Sequence, residues 1–246
     1  MDVPLNAFRH DGFVRIPSFL ATDEVADFRA TLDQFIEDRV SELPRDAVFY
    51  EDREDPSSLK QIQHLEEHSL EIRTWFEGRF LDLANALLGE AVGKNFQYFN
   101  KPPDGKATPP HQDGFYFMLN PCEAVTMWLA LEDVDEENGC LRYVRRSHLN
   151  GMRPHGRTET LGFSQGLTDF PNSSDIENEV ICPAKAGDLF AHHALTVHRA
   201  DANLSTTRSR RAVGAVFFSA NARVDTEAQA AYREKLTREM TSAGKL

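Results

Sequence analysis

Apolar positions along this chain follow two different periods. Val25, Phe28, Leu32, Phe35 and Ile36 recur at helical spacing behind the start signal Thr22-Asp23-Glu24, predicting a helix that runs to about Val40. A second helix is predicted from near Ser69 to Leu88, with Gly89 as its stop. Phe13 to Phe19 reads as a short strand, and the charged, aperiodic stretch from Pro44 to Pro56 as a loop. After Gly93 the pattern changes to short apolar runs at Phe96–Phe99, Ala124–Leu131, Cys140–Val144, Asp188–Ala191 and Ala212–Ser219, separated by Pro, Gly, Asn and Asp. The expected layout is one domain over 1–246: mostly helical support in 1–92, a β core in 93–220, and a polar tail or surface helix in 221–246. Inside the core, Asn150 to Asn178 is long, glycine-rich and poor in periodic apolar residues, which predicts a functional loop.

Composition narrows the class. With 41% hydrophobic residues and no apolar run approaching the roughly 18 residues of a membrane span, the chain reads as globular. The start, Met1-Asp2-Val3-Pro4, lacks a basic and then apolar leader, and Cys122, Cys140 and Cys182 are few and scattered, so a reducing, cytoplasmic setting is expected. A net charge of -12 disfavours a nucleic acid partner. Arg142, Arg145 and Arg146, with Arg208, Arg210 and Arg211, nevertheless concentrate positive charge that suits an anionic small molecule.

The chemistry centres on His111-Gln112-Asp113 and a distant His198. In an extended segment residues i and i+2 share a face, so His111 and Asp113 can converge on one ion, Pro109-Pro110 favouring the extended approach and Gly114 the sharp exit. Two imidazoles and one carboxylate suit ferrous iron with open positions for a chelating cosubstrate and oxygen. Asp188 to Val197 reads as a strand that delivers His198 to a barrel mouth, with His192 and His193 as competing ligands. Ser209-Arg210-Arg211 begins the next strand, expected to lie alongside the one carrying His198, so that one of these arginines points into the barrel, where its planar fork suits a carboxylate.

These residues resemble a known family. His111-Gln112-Asp113, the strand Trp128 to Asp133, Glu137-Asn138-Gly139-Cys140-Leu141 leading to Arg146-Ser147-His148, and His198 followed by Asn203-Leu204-Ser205 and Arg210 are similar to the phytanoyl-CoA dioxygenase family of iron(II)/2-oxoglutarate oxygenases, from about Phe8 to Ser219. The resemblance implies a mainly β fold, a double-stranded β-helix (jelly roll, cupin-like) with N-terminal helices packed on one sheet. It implies iron(II) on His111, Asp113 and His198, with 2-oxoglutarate and O2 as cosubstrates, and it places Lys101 and Trp128 in the 2-oxoglutarate pocket. The family's cosubstrate arginine falls where this chain has Ser209; a one-residue insertion near Thr206-Thr207 would bring Arg210 into its place, with Arg208 the alternative. Because Asp113 is present, hydroxylation or a related oxidation is expected rather than halogenation. Substrate contacts are expected from Asn150–Asn178, the Tyr50 region, Phe115 or Phe117, and Arg146 or His148. The competing readings are a non-catalytic β-barrel that retains a metal site, and a zinc hydrolase, for which no general-base carboxylate motif is visible.

Overall fold

The computed structural model describes residues 4–52, 54–160 and 163–242. Two antiparallel sheets face each other. The larger has seven strands in the order Phe13–Ile16, Leu189–His193, Ala124–Ala130, Arg210–Ser219, Ala91–Lys101, Leu59–Ile62, Val48–Tyr50. The smaller has four: Glu179–Cys182, Leu141–Val144, His198–Ala200, Thr108–His111. This is the mainly β architecture expected, a double-stranded β-helix with helices on one sheet.

The period-2 alternation of the central strands builds both of its faces. In Ala124–Ala130, Val125, Met127 and Leu129 join the core shared with the helices, while Trp128 and Ala130 join a second cluster between the sheets. Burial on both faces is why the segment reads as a continuous apolar run rather than an alternating one. The helix Thr22–Arg39 buries Val25, Phe28, Leu32 and Phe35 against this sheet, and Glu24 caps its start by accepting the Ala21 N–H at 2.8 Å.

The second predicted helix is interrupted. Ser69 caps Leu70–Trp75, Phe76–Phe80 forms a π turn in which Gly78 leaves helical geometry (φ -95°, ψ -113°), and Leu81–Leu88 then runs to Gly89 at φ +87°. The kink lets Phe76 stack on Phe96 and Phe217 at 5.3 and 4.7 Å, while Phe80 meets Phe96 edge-on at 5.2 Å.

Three expectations change. The stretch Pro44–Pro56 contains the strand Val48–Tyr50, which pairs with Leu59–Ile62; three residues are too few to show a period, and the sheet edge recruits them. The segment 150–178 is not a structureless loop: His155–Thr160 and Phe163–Leu167 form a hairpin, and Asn172 caps the helix Ser173–Asn178. The run from Asp188 to Val197 is not one strand ending at His198. It stops at His193, turns, and His198 opens a strand of the opposite sheet. The C-terminal tail forms the helix Thr226–Ser242. No helix among the described residues is long and apolar enough to cross a membrane.

Phe96 is fully buried at the meeting point of Phe28, Phe76 and Phe80. Phe96→Ala should therefore cost about 3–5 kcal/mol in urea denaturation; a loss below about 1 kcal/mol would show that this contact is not central to the core.

Candidate active site

The site lies between the sheets and draws on both. His111 ends one strand of the small sheet and His198 begins its neighbour; the two are directly paired, with ring centroids 4.2 Å apart. Asp113 reaches them differently from the sequence expectation. It is not extended but helical (φ -59°, ψ -33°), immediately before the short helix Gly114–Phe117, so a turn rather than a strand face swings its carboxylate back. Gly114 is required by close approach: a Cβ there would lie 2.5 Å from Cys122 Sγ and 3.2 Å from the Ala194 carbonyl. Gln112, between the ligand candidates, points away and staples the turn, donating to the Gly151 and Leu195 carbonyls and accepting from Arg153 N–H.

Hydrogen bonding settles which atoms face the centre. His111 Nδ1 lies 2.8 Å from the Pro109 carbonyl and His198 Nδ1 3.0 Å from that of Thr196. A carbonyl only accepts, so each Nδ1 carries the proton and each Nε2 presents a lone pair. Those Nε2 atoms lie 3.4 and 3.7 Å from Asp113 Oδ1. The other oxygen, Oδ2, is held from the large sheet: Thr126 Oγ1 donates at 2.6 Å and His192 Nε2 lies at 3.0 Å. Since a carboxylate accepts, His192 donates from Nε2, and its Nδ1 receives the buried Tyr143 hydroxyl at 3.0 Å. Burial alone would raise the Asp113 carboxyl, but His198, His111 and His192 together hold it well below the usual carboxylate range. Burial, reinforced by the neighbouring imidazoles, pushes His198 well below its ordinary value. An ionised carboxylate beside a neutral His198 imidazole is the protonation state that a metal ion requires.

Of the competing histidines, His192 touches the cluster as a donor to Asp113, and His193 turns outward to Glu123 at 3.4 Å. His111, Asp113 and His198 each offer one ligand atom, all within 4.8 Å of one another.

A cavity of about 300 Å³ runs from this cluster across the concave face of the large sheet. Arg210 and Lys101 stand opposite each other on adjacent strands of that wall. Arg210 therefore does not lie alongside the His198 strand as expected; it faces it from across the barrel, because the chain crosses from the small sheet to the large one between them. Arg210 is 5% exposed, its Nε has no hydrogen-bond partner, and its guanidinium lies 5.3 Å from the centroid of the Trp128 ring. Burial brings it down to about 10. Lys101 donates to the Asp201 carbonyl at 2.6 Å, and burial, with Arg210 and Lys60 nearby, lowers it to about 6. Arg208 points outward, paired with Asp135 and Glu137 at 2.8 and 2.9 Å, and Arg211 is tied to Glu132 and Asp33. Of Arg208, Arg210 and Arg211, Arg210 is the one that lines the cavity.

Other expected contacts fall outside. Phe117 lines the cavity, but Phe115 stacks on His155 at 4.4 Å. Arg146 and His148 brace the N-terminal helix, the first through its N–H to the Asp11 carbonyl and the second toward the Arg9 carbonyl. Thr126 was legible as a cavity-facing position, two residues before Trp128 on the same strand, yet the sequence offered no partner for it. Gln61 and Gln97, also in the lining, had no sequence signal at all.

A jelly-roll barrel with a buried His-Asp-His cluster facing a buried arginine is the arrangement of an iron(II)/2-oxoglutarate oxygenase. A model of the phytanoyl-CoA dioxygenase family matches residues 8–212. The peroxisomal phytanoyl-CoA dioxygenase of Mus musculus is 26% identical over 231 residues, covering 87% of this chain and 67% of that protein. Among solved structures, the epimerase SnoN in complex with Fe3+, alpha ketoglutarate and nogalamycin RO superposes with a TM-score of 0.69 at 28% identity over 89% of this chain and 83% of its own. EvdO2 from Micromonospora carbonacea var. aurantiaca, complexed with 2-oxoglutarate, gives 0.69 at 27% identity over 88% and 89%. The chain belongs to the phytanoyl-CoA dioxygenase family, whose members are iron(II)- and 2-oxoglutarate-dependent oxidoreductases.

The lysine makes a prediction of its own. In the folded protein Lys101 gives up its proton near pH 6, while the unfolded chain keeps it to about 10.4. Between those values the unfolded state binds the extra proton, so stability is greatest at high pH and is lost as pH falls toward 6. Urea denaturation should show wild type gaining up to about 1.4 kcal/mol per pH unit between pH 6 and 9 relative to Lys101→Met; parallel pH profiles would contradict this.

Proposed function

We propose that His111, Asp113 and His198 hold iron(II) and that Arg210, helped by Lys101 and flanked by Trp128, binds the distal carboxylate of 2-oxoglutarate, so that the enzyme oxidises a C–H bond of a small molecule, with hydroxylation as the simplest outcome. The observation that carries the reading is a convergence of ligand atoms opposite a buried cation. His111 Nε2, Asp113 Oδ1 and His198 Nε2 come together between the sheets, and across the cavity the buried guanidinium of Arg210 has no acidic partner among the described residues. Leaving a buried cation unpaired is costly unless a ligand supplies the anion.

When bound, iron supplies the oxygen chemistry, in which 2-oxoglutarate is decarboxylated to succinate. The chain's own residues do the rest. Thr126 and His192 occupy Asp113 Oδ2 and leave Oδ1 for the metal. Arg210 and Trp128 orient the cosubstrate, and Leu141, Val216 and Phe117 keep the cavity dry near the centre. The anion that the arginine-rich sequence predicted is, on this reading, the cosubstrate itself. The three cysteines are free, which suits a reducing compartment, and we assign the cytoplasm, although the mouse relative is peroxisomal.

Anaerobic addition of iron(II) and 2-oxoglutarate should produce a weak charge-transfer band in the green, abolished by Asp113→Ala; no band in wild type would overturn the proposal. In the same titration Arg210→Ala should raise the 2-oxoglutarate dissociation constant by on the order of 100-fold while Arg208→Ala leaves it within about two-fold, and the reverse order would move the role to Arg208. His192→Leu and Thr126→Val should each weaken iron(II) binding by about 10- to 100-fold, with His192→Gln, which keeps a donor at the ε position, recovering most of the loss. Equal affinity in all three would show that Oδ2 needs no anchoring.

A further inference from the structure

The concave face of the large sheet can be read row by row across its strands. One row is His192, Thr126, Val216 and Asn95; the next is Trp128, Gly214 and Gln97; the next is Ala130, Ala212, Phe99 and Gln61; and Arg210 with Lys101 closes the series. The central strands thus carry the Asp113 anchors and the proposed cosubstrate pocket. The lateral positions, on Ala91–Lys101 and Leu59–Ile62, carry Asn95, Gln97, Phe99 and Gln61, and they line the same cavity beside the residues proposed for iron and 2-oxoglutarate.

Gln61 and Gln97 are joined by one hydrogen bond, Gln61 Nε2 to Gln97 Oε1 at 2.8 Å. Gln61 is only 5% exposed. A single bond between two carboxamides consumes one donor and one acceptor, and it leaves one amide with a free carbonyl oxygen and the other with a free NH2. Exchanging both amide orientations returns the same pair of free groups, so this conclusion survives any amide flip. Among the described residues neither Gln61 Oε1 nor Gln97 Nε2 has a protein partner. Beside them, Phe99 lies against Gly214, where a Cβ would come within 2.8 Å of the ring, so an aromatic surface extends the patch. Beyond Arg210 and Lys101, two of the cations in the lining are paired with acids, Lys60 with Glu51 at 2.5 Å and Arg199 with Glu179 and Asp201 at 2.7 and 2.9 Å, and the third, Lys106, is exposed to solvent.

We infer that the Gln61–Gln97 pair is the substrate-reading site, and that it selects a neutral molecule carrying a hydrogen-bond donor and an acceptor on neighbouring atoms, as in an amide, a lactam or a vicinal diol, with an apolar ring or chain against Phe99. The inference rests on the iron and 2-oxoglutarate reading above and names the substrate class of that same cavity. A purely hydrocarbon substrate, such as a fatty acyl chain, would bury both amides without replacing their lost hydrogen bonds, and sites built this way reject such analogues strongly.

The test uses the zinc-substituted, 2-oxoglutarate-loaded protein and ligand-observed saturation-transfer NMR with four probes: δ-valerolactam, cis-1,2-cyclohexanediol, cyclohexyl methyl ether and octanoate. Wild type should bind the lactam or the diol, the stronger of the two identifying the substrate type, and should bind the ether and octanoate at least about ten-fold more weakly, the worth of one unmade hydrogen-bond pair. Gln61→Leu should lose that preference. Gln97→Glu, which keeps the side-chain length but removes its donors, should lose it too, with circular dichroism verifying that each variant is folded. Equal binding of the ether, preferential binding of octanoate, retention of the lactam and diol by both variants, or binding of none of the probes would each overturn the inference. The 2-oxoglutarate signal in the same tube separates the two claims: if it is present while the probes fail, only the substrate class falls; if it is absent, the cosubstrate reading falls and takes the substrate class with it.

Discussion

Asp113 is the point on which the two sheets depend for a common purpose. Its carboxylate, 15% exposed, has one oxygen turned to His111 and His198 of the small sheet and the other to Thr126 and His192 of the large one. A carboxylate in such a place is stable only because imidazoles and hydrogen-bond donors outweigh the loss of water. That requirement fixes the rest: the helical turn that aims Asp113, the glycine that lets the turn approach Ala194, and the glutamine that staples it to the segment beyond Gly151.

The division of labour between faces follows from strand alternation. On the central strands of the large sheet the alternate positions that meet the helices are apolar, and the intervening ones, Thr126, Trp128, His192 and Arg210 among them, face the opposite sheet. The rigid outer layer of Phe28, Phe76, Phe80, Phe96 and Phe217 therefore supports the backbone from which Thr126, Trp128, Gln97 and Arg210 project. Arg210 destabilises the barrel by being buried with little compensation, and on the proposed reading the same burial strengthens its attraction for a dicarboxylate.

Much of this was legible in the sequence, and the failures have physical reasons. His111, Asp113 and His198 carried a ligand pattern, and Arg210 a register argument; Arg210 lines the cavity, while Arg208 forms a surface ion pair. Local pattern could not show that the chain leaves one sheet at His193 and enters the other at His198, because a four-residue turn between apolar runs looks like a continued strand. Nor could it show the strand Val48–Tyr50, whose existence depends on a partner from residues 59–62. The anchoring of Asp113 by Thr126 and His192, and the pairing of Gln61 with Gln97, are contacts between segments far apart in the chain, and polar residues alone give no period from which to infer them.

The central claim is that a metal ion sits between the sheets on Nε2 of His111, Oδ1 of Asp113 and Nε2 of His198, with a cosubstrate reaching from it to Arg210. Crystals grown anaerobically with iron(II) and 2-oxoglutarate, measured on either side of the iron absorption edge, address it directly. The account predicts one anomalous peak bonded to those three atoms, His192 still hydrogen-bonded to Oδ2, and a five-carbon dicarboxylate ending at Arg210. A peak coordinated by His192, a metal bound through Oδ2, or a dicarboxylate lying away from Arg210 would contradict it.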